Sequence, residues 1–184
     1  LAFGPEHPYG HTVFGSMADL DAASLGDTHD FFTTWYAPGN AVLTLVGDVT
    51  AEDGFAAAER YFGGLPARGV PQRHRVDPLP PHSGVPRRVT SAPVPADQLY
   101  LQWRTPAQGS RLYDAVDIAL TILGGSETSR LYRRLVRTDG LCSAAGASSI
   151  PLAWGNSIGL AFARPLDGVS LADAAAALTE TVEH

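Results

Sequence analysis

No lysine occurs among the 184 residues, so all thirteen basic side chains are arginine. A phosphate loop of the G-x-x-x-x-G-K type is thereby excluded. Cysteine is almost as scarce. Cys142 stands alone, which rules out an internal disulfide, and nothing around it matches a nucleophile motif, so it reads as a small buried apolar group. No apolar run reaches the eighteen residues that a membrane-spanning helix needs, and the N-terminus shows no basic stretch leading into an apolar one, so neither a span nor a signal peptide is expected. The G-x-S-x-G elbow of serine hydrolases is also missing. The expectation from these absences is a soluble, cytoplasmic chain.

What is present is ordinary for a globular chain: 45% hydrophobic and 17% charged residues, with a formal charge of -6. The arginines gather at Arg133, Arg134 and Arg137 and at Arg73, Arg75, Arg87 and Arg88. No aromatic stripe or nucleic-acid motif accompanies them, so they read as solvated surface and no nucleic-acid partner is expected.

The stretch Glu6-His7-Pro8-Tyr9-Gly10-His11 brings a carboxylate and two imidazoles within six residues. Two histidines four apart chelate a metal from one side when a helix carries them. Pro8 and Gly10 deny that helix, and the stretch reads as a turn. The stronger zinc signature, H-x-x-E-H, fails at both Glu-His pairs. At Glu6-His7 the other histidine position is Phe3, and at Glu183-His184 it is Glu180.

Local patterns give an order of elements. Ser24 with Asp27 forms a capping box opening a helix that carries Phe31, Phe32, Trp35 and Tyr36, closed by Pro38-Gly39-Asn40. Ala41 to Gly47 is a short apolar run of strand length. Thr50 with Asp53 opens a second helix to about Phe62, stopped by Gly63-Gly64. From Leu65 to Pro86, prolines are interspersed with Arg, His and Gly without apolar periodicity, which is the composition of a semi-rigid linker. Beyond it, residues 87–94 and 97–105 read as strands, the second alternating Leu99, Leu101 and Trp103 with polar positions. A helix is predicted over 111–123 from Leu112, Val116, Ala119, Leu120 and Leu123, and another over 127–138. Strands on either side of Gly155-Asn156 and a last helix capped by Ser170 complete an α+β pattern.

Several ordered phrases resemble one family. "HPYG", "FGSMADL", "YAPGNAVLTLVGD" and "SRLY" at their separations are similar to the insulinase and pitrilysin family of zinc metallopeptidases, which includes the mitochondrial processing peptidases. The resemblance covers nearly the whole chain. It implies a metallohydrolase-like α/β sandwich in two partial domains: residues 1–65 as the later part of the first, 66–86 as a Pro-rich linker, and 87–184 as the opening of the second, non-catalytic one.

In function, the resemblance implies a zinc-dependent endopeptidase for the full-length protein, with this chain as a metal-free segment of chamber wall and substrate scaffold, inactive alone. The alternative is a non-catalytic structural subunit of a heterodimeric peptidase of the same family. Partners implied are a peptide substrate and a second subunit, as a homo- or heterodimer. No catalytic or metal-binding residue is expected in this chain, because H-x-x-E-H and the distal Glu that complete the zinc site are absent. The family's substrate-contacting Arg and Tyr, anchored on Gly140-Leu141, fall on Val136 and Ser143, so no substrate-binding pair is expected. Arg137 lies one residue off, a step of about 100° on an α-helix. Gly124-Gly125-Ser126 resembles a shortened glycine-rich loop used on substrates in that family. Read as residues alone, the same glycines end one helix and permit the turn into the next.

Overall fold

The computed structural model describes residues 2–66, 68–72 and 75–184. The chain divides into two compact units, Leu1–His11 with Arg75–His184, and Thr12–His74.

The smaller unit is helical. Helices α1 (Met17–Ala22), α2 (Leu25–Trp35) and α3 (Ala51–Phe62) start alike, with a Ser or Thr hydroxyl accepting from the N–H of an Asp three residues on: Ser16 from Asp19, Ser24 from Asp27, Thr50 from Asp53. That bond satisfies one of the amides a helix start leaves open. In α1 and α2 the Asp carboxylate also reaches back to the N-cap amide, completing the box. After α2 the chain makes a 3₁₀ turn, and the Asn40 side-chain amide donates to the Trp35 carbonyl at 2.9 Å, covering a helix-end acceptor. Helix α1 was not expected from the sequence, although Ser16 and Asp19 repeat the Ser24 and Asp27 pattern.

The strand predicted over 41–47 does not form. A strand exists through its ladder partner, and no partner strand lies beside this segment among the described residues. Val42 and Val46 are both 93% exposed. In this unit only Ala37 and Gly54 are buried among the described residues, and its apolar contacts are partial ones such as the Phe32 ring stacked on Tyr36, centroids 5.2 Å apart.

The larger unit holds the core. Strands β1 (Leu99–Pro106), β2 (Cys142–Ile150) and β3 (Asn156–Pro165) make an antiparallel sheet in the order β1-β3-β2. Register sets Leu101, Ala161 and Ala147 in one row, and Leu99, Ala163 and Ala145 in the next. These rows face α4 (Arg111–Gly124) and α5 (Leu171–Glu183), with α4 against β2 and α5 against β3. Alanines on the sheet let the helices come close, and Leu120, Leu131, Leu135 and Leu178 fill the space between. Each such leucine contributes about 1.5–3 kcal/mol by leaving water.

Two further expectations need correction. The strand predicted over 87–94 is unpaired, with Val89 and Val94 exposed; Pro86, Pro93 and Pro95 remove the amides a ladder would use. The helix predicted over 127–138 begins at Arg130 and turns π-helical over Tyr132–Thr138. Its wider turn is seen where the Asp139 N–H bonds the Arg134 carbonyl at 2.9 Å, five residues back. Gly140, at φ +61°, then reverses the chain so that the Leu141 N–H reaches the Leu135 carbonyl at 3.0 Å. Taken together the chain is α+β, helices on a small antiparallel sheet.

Candidate functional site

The three candidate loop residues sit where α4 meets the sheet. Gly124 closes α4, and a Cβ built on it lies 1.9 Å from the Ala147 amide nitrogen and 2.4 Å from the Gly146 carbonyl carbon. Only a residue without a side chain allows the helix end to rest on the β2 backbone there. Gly125 caps the helix, its N–H bonding the Thr121 carbonyl at 2.8 Å. Ser126 Oγ accepts from the Thr128 N–H at 3.3 Å and shares a 2.9 Å hydrogen bond with the Thr128 hydroxyl. The loop is thus tied at both ends by contacts within its own unit.

Val136 and Ser143 are held apart in chemistry and in surroundings. Val136, on the π-helical segment, packs against the core cluster. Ser143 lies on the exposed side of β2, its hydroxyl donating to the Arg164 carbonyl at 3.3 Å. Arg137 turns outward, 57% exposed, stacked over the Tyr132 ring at 5.6 Å and 3.6 Å from the Glu127 carboxylate. The π-helical turn carries more residues than an α turn, so the step from Val136 to Arg137 is smaller than α geometry gives. The two side chains still go to opposite environments.

The histidine stretch forms a turn, as its Pro and Gly require: the His7 N–H bonds the Gly4 carbonyl at 3.0 Å, and the Gly10 N–H bonds the His7 carbonyl at 2.7 Å. The His7 ring stacks on Phe3 with centroids 4.5 Å apart, and its Nδ1 accepts from the Tyr9 N–H at 3.0 Å. Among the described residues no group of three or more His, Cys, Asp or Glu is placed to hold a metal ion. The other ring nitrogen of His7, Nε2, is buried without a hydrogen-bond partner.

Polar groups not singled out from the sequence meet between α4 and β2. The Tyr113 and Ser149 hydroxyls are 3.0 Å apart, and Ser149 Oγ donates to Asp117 Oδ1. Tyr113 and Asp117 are four apart, on one face of α4, and Ser149 points inward from β2; that four-residue polar spacing was the available signal. The arrangement ties helix to sheet.

A second polar set lines an open cleft of about 530 Å³ beside the π-helical segment, formed by Arg130, Arg133, Arg134, Asp139 and Thr181 among others. Arg134 pairs with Asp139 at 3.3 Å and Glu180 at 2.6 Å. The Asp139 hydrogen bond first, then Glu180, hold its guanidinium above the usual arginine pKa. Cys142 is buried and free, and that burial pushes its thiol pKa up.

A family model described as the Peptidase M16 inactive domain matches residues 22–183. The zinc protease PqqE of Helicobacter pylori is 28% identical over 154 residues, covering 79% of this chain and 33% of that protein. An uncharacterized zinc protease of Mycobacterium leprae is 29% identical over 141 residues, covering 74% and 31%. The chain therefore spans about a third of the length of these relatives. Among solved structures, a protease from Helicobacter pylori superposes with a TM-score of 0.83 at 24% identity, over 96% of this chain and 43% of that one. A peptidase M16 inactive domain from Pseudomonas fluorescens gives 0.69 at 22% identity, over 97% and 43%. At those identities the structures speak to the fold.

Proposed function

Since the chain belongs to the Peptidase M16 inactive domain family, we propose that it is a metal-free segment of a zinc-dependent endopeptidase, contributing chamber wall and substrate-domain scaffold. In this reading it is built as parts of two sandwich domains joined by the Pro-rich stretch 66–86. The observation that carries the proposal is the family match over residues 22–183 in a sequence without H-x-x-E-H. Relatives named zinc proteases support zinc for the longer protein. A bound zinc ion there would supply Lewis acidity and an activated water for peptide hydrolysis. This chain's own residues hold surfaces in place: the Gly124 contact seats α4 on β2, and the Tyr113, Ser149 and Asp117 bonds fix that helix against the sheet.

The test joins the chain to its own upstream coding sequence and assays peptide cleavage with and without a chelator. Cleavage abolished by chelation and restored by zinc is the expected result. An inert, zinc-free longer protein would count against the proposal.

A second reading, the non-catalytic subunit of a heterodimeric peptidase, draws on Val136 and Ser143. A valine packed on the core and a serine bonded to the neighbouring strand suit a scaffold that leaves substrate contact to another subunit. It predicts activity only after mixing with a separate zinc-bearing subunit, and turnover by the longer protein alone would dismiss it.

A further inference from the structure

The middle of the Pro-rich stretch is fastened to the loop between β2 and β3. The Arg75 guanidinium lies over the Trp154 ring, 5.0 Å from its centroid. The Leu79 N–H donates to Asn156 Oδ1 at 2.7 Å. Between these, the Val76 and Asp77 carbonyls approach Gly155 so closely that an added Cβ would stand 3.3 and 3.2 Å from them. Gly155 also holds φ +67°, a conformation L side chains seldom adopt.

Both sides of this contact are prepared for it. At the start of β3, Ser157 is fully buried, and its Oγ accepts from the Leu152 N–H of the loop at 3.0 Å and donates to the Leu152 carbonyl at 3.2 Å. The Gln108 N–H takes the same carbonyl at 3.0 Å. The loop is therefore set by the sheet unit's own bonds, and little ordering remains when a segment lands on it. On the segment, Pro78, Pro80 and Pro81 surround Leu79, so within 78–81 Leu79 carries the sole backbone donor. That donor is the one Asn156 accepts. Residues before prolines keep to extended conformations, and extended Pro-rich segments dock on aromatic surfaces at low entropic cost. Here the aromatic face carries the Arg75 guanidinium, the side-chain amide takes the Leu79 N–H, and the side-chain-free glycine admits the Val76 and Asp77 carbonyls.

We propose that the β2–β3 loop is an internal receptor for the Pro-rich stretch, with Trp154 and Asn156 as its anchors, and that this clamp fixes where the chain enters the sheet unit. The chain re-enters the sheet unit at Arg75–Leu79, ahead of Pro86. The clamp is independent of the peptidase reading, because every residue in it lies within one unit of this chain.

Hydrogen exchange on the 184-residue chain tests it, with the Leu79 amide as reporter and the Ala161 amide, inside the β3 ladder, as control. In the parent chain the Leu79 amide is expected to exchange at least about tenfold slower than a free amide. Arg75→Ala removes the cation from an exposed position on the segment and takes nothing from the sheet. Asn156→Ala removes the acceptor. Each is expected to speed Leu79 exchange about tenfold while leaving Ala161 unchanged, and trypsin should then cut the Arg75–Val76 bond faster in Asn156→Ala. If Asn156→Ala also releases Ala161, Arg75→Ala alone decides. A Leu79 amide unprotected in the parent chain, or still protected in Arg75→Ala, overturns the clamp.

Discussion

A methyl group added at Gly124 meets backbone, which cannot rotate away: the new carbon lies 1.9 Å from the Ala147 nitrogen. Relief requires moving α4 off β2, and overpacking of this kind costs roughly 1–3 kcal/mol or more. Gly124→Ala is therefore expected to lower the urea midpoint by the equivalent of about 2 kcal/mol with an unchanged slope. At Gly64 an added Cβ would meet no atom within 4 Å, and its φ is not positive, so Gly64→Ala is the control and should stay within about 0.5 kcal/mol. Equal effects at the two positions would show that the close approach is not what Gly124 serves. Cys142 makes a prediction about pH. Burial raises its thiol pKa, so the folded state holds that proton more tightly than the unfolded chain. The resulting stability is complete below the unfolded value of about 8.5 and is lost as pH rises through the raised folded value. A thiol reagent at pH 8 should label native Cys142 far more slowly than the urea-unfolded chain, and equal rates would contradict the burial.

At the scale of elements, every helix but the six-residue α1 was legible and lone strands were not, for one physical reason. A helix satisfies its amides within its own sequence, so the Ser24, Thr50 and Ser170 caps and the apolar spacing of α4 suffice to mark it. A strand depends on a partner elsewhere in the chain. Residues 41–47 and 87–94 carry strand-like composition without one, and they remain unpaired. The π-helical turn was hidden because its signal is the hydrogen bond from Asp139 to Arg134, which no residue type announces. Of the candidate site, Gly124 was legible as a helix stop; its contact with Ala147 belongs to tertiary packing and leaves no local pattern. The cap on α4 can be checked directly. Ser110 Oγ accepts from the Tyr113 N–H at 3.1 Å and donates to the Ala107 carbonyl at 3.0 Å. Ser110→Ala should cost about 1 kcal/mol, seen as a fall in Tm of about 2–4 °C. An unchanged Tm would mean that water replaces the hydroxyl without loss.

For the whole molecule the decisive quantity is apolar surface left in water. In the unit Thr12–His74, Val13, Phe14, Val42, Val46 and Phe55 are each at least 77% exposed. Apolar side chains left this exposed favour association between copies of the chain. The larger unit adds a sheet edge to which no strand is paired among the described residues. Strand β2 is outermost in the sheet, nine residues long, and its sequence CSAAGASSI holds no charge or proline to discourage pairing. Antiparallel pairing of one β2 with another would satisfy both rows of backbone groups at once, since the same strand serves as template and partner. The isolated 184-residue chain is therefore expected to self-associate as concentration rises, measured by sedimentation velocity. Placing a lysine on the β2 edge at exposed Ser148 should shift that equilibrium toward monomer, because a desolvated ammonium opposes pairing while leaving the inward row of Ala145 and Ala147 untouched. If Ser148→Lys leaves association unchanged, the helical unit's apolar surface is the adhesive instead; a chain that stays monomeric at high concentration would refute both routes.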